Sequence, residues 1–137
     1  MGAWGSDSYD NDTANDWAYG LEDVSDLSLV IGAIGPVATR GDDYLDSDEA
    51  CEAIAACEVI ARLKGNWGKR DAYTETIDNW VQAHPIAPPD ELVQQALKAI
   101  DRILASPSEL MELWDEGGFN EEWHAKMADL RARIAGS

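Results

Sequence analysis

Carboxylates are the groups with the most chemistry to offer in this chain. Asp7, Asp10, Asp12 and Asp16 crowd one stretch, and Asp42, Asp43, Asp46, Asp48 and Glu49 crowd a second. Hard divalent cations take several oxygen ligands at once, so clusters of this kind could hold one if they met in space. The spacing does not follow the calcium-loop pattern: counting from Asp10, the fifth position is Ala14 and the required glycine is Asn15. Acids near helix N-termini are also favoured by the helix dipole with no ion present. No cofactor is therefore expected. A divalent cation on Asp7, Asp10, Asp12 and Asp16 is the single candidate.

Other constellations fail on spacing. Glu121 and His124 form one Glu-x-x-His pair, but carboxylate-bridged di-iron bundles need two such pairs, and Val81 stands where His84 would need its acid. Cys51 and Cys57 are six positions apart, without zinc-ligand spacing, and lie on opposite flanks of one expected helix, out of disulfide reach. Reduced thiols of a cytoplasmic protein fit them better. The stretch around Gly68–Lys69 departs from a phosphate loop, with Leu63 at the first glycine position and Arg70 where Ser or Thr should follow the lysine. No G-x-S-x-G occurs either. The residues lean away from an enzyme.

Charge narrows the partners. Twenty-seven acids against ten bases give a net charge of −17. Through Ile60 there are 14 acids and one base, Arg40, a balance of −13; the remainder carries 13 acids and 9 bases, a balance of −4. Direct binding to nucleic acid or to an anionic membrane is disfavoured. A basic protein surface suits the first half, with Asp7, Asp10, Asp12, Asp16, Asp42, Asp43, Asp46, Asp48 and Glu49 as the acidic binding surface. Oligomeric state is not set by any of these features.

The elements that must position these acids read as helices throughout. The strongest runs from Asp46 to Lys64: Asp46 as N-cap, Glu49 as its capping-box acid, Arg62 and Lys64 in the last turn, and Gly65 as the left-handed terminator. Small or apolar side chains surround it almost completely, which marks a buried central helix. Glu58 is the anomaly in that run. Either Arg62, one turn later, pairs with it, or it is a perturbed acid lining a cleft and answering Arg40 or the N-terminal arm.

Around that axis, residues 1–11 read as an irregular arm packed on the body, pinned by Trp4. Asp12 is expected to cap a helix bearing Ala14, Trp17, Ala18 and Leu21. Ser25 opens a second, stapled by Val24 and Leu29, with Leu27, Ile31, Ile34 and Ala38 on one face and a kink or break near Pro36. A buried strand over 27–34 competes with it. Thr74 starts a helix stopped by Pro85, and Pro88–Pro89 introduce an amphipathic one through Leu104. Ser106, Pro107 and Glu109 form a start signal, and Asn120 caps the last helix, with Trp123, Met127, Leu130 and Ile134 on one side. The expected fold is all-α: a compact bundle of six to seven helices around the helix at about 46–64, forming one domain over 1–137.

Several stretches resemble the family catalogued as domain of unknown function 4259. They are the Met-Gly-Ala-Trp-Gly start at Met1 to Gly5, the acid–Asn–Asp segment at Asp10 to Asp12 with Asp16 and Trp17, and the Ala-rich helix from Ala55 to Ala61. The resemblance implies a stand-alone small bacterial cytoplasmic protein and brings no activity or cofactor with it. The functional expectation therefore rests on charge: a non-enzymatic binding module of inhibitor or immunity type that offers its acidic half to a basic protein. A cation-binding domain and a structural or regulatory protein without a charge-driven partner are the alternatives.

Overall fold

A computed structural model of the chain describes residues 5–136. Those residues form seven α-helices and one 3-10 turn: α1 (Asp12–Tyr19), the turn Gly20–Asp23, α2 (Ser28–Ala38), α3 (Ser47–Leu63), α4 (Glu75–Ala83), α5 (Asp90–Ile103), α6 (Glu109–Trp114) and α7 (Glu121–Ala135). The fold is all-helical, as the apolar spacing requires. No helix is long and apolar enough to cross a membrane among the described residues.

The axis is α3. It touches each of the other six helices, and every residue from Ala53 to Arg62 is buried. Its ends are built as the residues at 46 and 65 dictate. Asp46 accepts the Glu49 backbone N–H at 2.8 Å. At the other end Gly65 takes φ +87, so that its N–H reaches the Arg62 carbonyl while the Asn66 N–H reaches that of Ala61. This pair of bonds is the Schellman closure, and a left-handed φ makes glycine the suited residue. The capping box is only half made, because the Glu49 carboxylate turns to Arg40. Glu109, arriving from α6, accepts the Ser47 N–H at 2.7 Å. Asp46→Ala is expected to cost about 1 kcal/mol, measured as a shift in the denaturation midpoint with unchanged slope.

Four local expectations are corrected. The α1 cap is Asn11, which accepts the Ala14 N–H, with Asp12 in the first turn. In α2 the buried stripe is Leu27, Val30, Ile34 and Val37, while Ile31 is 52% exposed. No charge lies between Leu27 and Thr39, so spacing cannot choose the inner face there; packing against α3 and α5 does. The helix also runs on through Pro36 to Ala38. Pro36 and Gly32, the residue whose carbonyl loses its helical donor to proline, are both exposed. Lastly, α6 begins after Ser108, because the segment before it pairs with Leu45: the Leu45 N–H donates to the Pro107 carbonyl and the Glu109 N–H to that of Leu45.

One core cluster takes side chains from every helix. Residues 5–10 make turns and bends and pack on it, with Tyr9 and Asp10 buried. The expected pin, Trp4, lies outside the described residues.

Candidate functional site

Two polar regions sit on either side of the arm. The inner one begins at Glu58, which α3 carries into the protein interior at 6% exposure. Its Oε1 receives Arg62 Nη1 at 2.5 Å and Arg133 Nη1 at 2.9 Å. Its Oε2 receives Arg133 Nη2 at 3.0 Å and the Ser8 hydroxyl at 2.6 Å. Arg62 continues the network: its Nε donates to Asp78 Oδ1 on α4 at 2.7 Å, and its Nη2 to the Lys69 carbonyl at 2.7 Å. The Thr74 hydroxyl closes it on Asp78 Oδ2. Two buried acids and two arginines thus join the arm, α3, α4, α7 and the loop before α4. Gly68 is part of the fit, since a Cβ there would stand 2.7 Å from the Arg133 guanidinium.

Of the two readings of Glu58, the pair with Arg62 is formed, and it is half of a larger set. Burial raises the Glu58 pKa, but the hydrogen bond and charge of Arg133, the charge of Arg62 and the Ser8 hydroxyl outweigh it, leaving the carboxyl below its ordinary value. Arg40 plays no part, being held by Glu49. Glu58 also lines a small pocket of about 180 Å³ with Ser8, Arg62 and Arg133, and with both its oxygens engaged the cluster ties the arm, α3 and α7 together as a clasp. Arg133, Asp78 and Ser8 carry no local sequence signal for this role; they reach Glu58 and Arg62 from distant parts of the chain.

Next to the clasp, Asp7 on the arm bridges Lys126 at 3.0 Å and Lys69 at 3.1 Å. Asp10 Oδ2 accepts the Asp7 N–H at 3.2 Å. Asp12 and Asp16 are exposed on α1. Among the described residues no group of three or more His, Cys, Asp or Glu side chains is placed to hold a metal ion.

The outer region gathers the remaining acids. The Thr13 hydroxyl on α1 donates to Asp48 Oδ1 on α3 at 3.2 Å, so the two acidic stretches of the sequence do meet. Asp42, Asp43, Asp46 and Asp48 are exposed, and Glu49 is partly covered. Arg102 of α5 lies beneath the turn but spends its guanidinium on main chain: Nε on the Gly41 carbonyl at 2.8 Å, Nη2 on those of Asp43 and Pro107 at 2.7 and 2.9 Å. It shapes the turn and leaves the Asp42 and Asp43 carboxylates outward. The field of this region reaches Glu52, whose pKa is raised first by burial and then by Asp48, Asp46 and Glu49. His84 stacks on Trp80. His124 sits between Phe119 and Asp115, its Nε2 2.9 Å from Asp115 Oδ2. Cys51 and Cys57 are free thiols.

A family model matches residues 2–126. The chain belongs to the family described as a domain of unknown function (DUF4259). The DUF4259 match takes in the arm, α1 through α6, and the acid half of the clasp with Arg62; Arg133 lies beyond it. No curated protein and no solved structure matches the chain.

Proposed function

We propose that this protein is a non-enzymatic binding module that offers the outer acidic region to a basic protein, in the manner of an inhibitor or immunity protein. The supporting observation is an imbalance in how charges are used. Asp12, Asp16, Asp42, Asp43, Asp46 and Asp48 make no ion pair among the described residues, whereas Arg62, Lys69, Arg70, Lys126, Arg131 and Arg133 are all engaged with acids. Carboxylates gathered and left unpaired hold a field that speeds encounter with a positive surface. Tyr44, 52% exposed within that acidic turn, supplies the kind of aromatic anchor that interfaces favour.

The test is capture by the immobilised full chain. Proteins retained in about 50 mM salt should be basic, and should elute by about 500 mM, where the screening length falls to a few ångströms. Retention that ignores ionic strength would end this reading.

A further inference from the structure

Beside the unpaired acids lies a groove of about 130 Å³ between the arm, α1, α3, α6 and α7. It is far smaller than the ~300–1,000 Å³ clefts that take drug-sized ligands, and its walls are of two kinds. One is apolar and aromatic: Trp114 and Trp123 stack with planes 10° apart and centroids 6.2 Å apart, with Met127 and Leu110 beside them. The other carries Asp12 and Asp48. Lys126 and Asp7 also reach the groove, paired with each other, and Asp7 is shared with Lys69 outside it. The charge left over is negative. The Cys51 thiol on the α3 side is pushed up to about 12 first by burial and then by Asp48, Glu52 and Asp46.

We infer that this groove receives an arginine side chain of the basic partner, its aliphatic stem against Met127 and Leu110 and its guanidinium between the Trp114 ring and the Asp48 and Asp12 carboxylates. Arginine fits both walls at once: the planar cation stacks on indole, and its fork of donors matches carboxylate oxygens. A metal ion would leave the aromatic wall unused, and an anionic ligand would be repelled. This assignment rests on the proposed function and names the contact on which that binding turns.

The probe is a blocked Gly-Arg-Gly peptide, with norleucine and citrulline versions as controls, titrated into the full chain while the indole N–H signals of the tryptophans are followed by NMR. The arginine peptide should move the Trp114 and Trp123 signals, the controls should not, and Asp48→Asn or Trp114→Leu should each weaken binding by at least about tenfold. Both side chains are partly or fully exposed, and a preserved one-dimensional spectrum verifies that each variant is folded. Should Trp114→Leu fail to fold, Asp48→Asn with the control peptides decides the matter. No movement of the two signals at about 10 mM peptide, or equal movement with norleucine, overturns the inference. If the groove stays silent while capture of basic proteins remains salt-sensitive, this inference alone falls; if capture is indifferent to salt, the parent reading falls and takes this one with it.

Discussion

Arg62→Met should lower the stability of this protein by about 3–5 kcal/mol, the range found when one member of a buried ionic network is removed and its partners are left uncompensated. Arg62 is 2% exposed and is the cation shared by Glu58 and Asp78. Methionine replaces the stem volume but none of the donors. Glu58 would keep Arg133, but Asp78 would be left with Arg70, a half-exposed side chain at 3.8 Å. A whole domain is commonly worth only about 5–15 kcal/mol, so the loss should be plain in a urea or guanidinium titration. A loss below about 1 kcal/mol would mean that the network is worth no more than a surface ion pair.

Glu58→Gln is expected to cost on the order of 3 kcal/mol at neutral pH, and its cost should depend on pH with a definite sign. The Glu58 pKa in the folded protein is below the ordinary 4.5. A depressed carboxyl pKa contributes stability that is fully present above the unfolded-state value and is lost as pH falls through the folded-state value. The gap between wild type and variant should therefore be widest near neutrality and narrow as the solution is acidified below about pH 4.5. Melting curves collected from pH 7 down to about pH 3 measure it directly. A small penalty that stays constant across that range would contradict the clasp.

How much of this was legible depends on the distance over which each interaction acts. The axis was readable because its determinants are local: the Asp46 cap, the glycine at 65 and the continuous apolar surround all lie within one helix. The Glu58–Arg62 pair was readable for the same reason, being one turn apart. Arg133, Asp78 and Ser8 were not, since nothing in their own neighbourhoods sets them apart from surface residues; they become partners only when α4, α7 and the arm close on α3. Around α2 and α6 the local signals pointed slightly astray. An uncharged helix does not advertise which face is inside, and the start signal at Ser106–Glu109 is overridden when Leu45 takes the main chain of that segment and Glu109 caps α3 instead of its own helix.

The acids divide in the same way. Sequence shows that they are numerous and early in the chain, but not which are consumed. Asp7 is spent on two lysines and Glu49 on Arg40, whereas Asp12, Asp42, Asp43 and Asp48 make no ion pair among the described residues, and Arg102, beside the Asp42–Asp43 turn, is committed to carbonyl oxygens. Glu58 is thus part of the framework that holds the arm, α4 and α7 to α3, while the open acids keep the place in the proposed binding surface that their charge suggested.

That division separates stability from binding. The measurement that bears most directly on it is the affinity of a captured basic partner for the quadruple variant Asp12→Asn, Asp16→Asn, Asp42→Asn and Asp43→Asn, compared with wild type across a range of salt. None of the four side chains accepts an N-cap hydrogen bond or belongs to the clasp, so the melting temperature should change little, the lost dipole interaction of Asp12 in the first turn of α1 offset by relief of like-charge repulsion. Affinity at low salt should drop by about tenfold or more, and the slope of affinity against salt should flatten. Unchanged affinity and an unchanged salt slope in a folded variant would contradict the account.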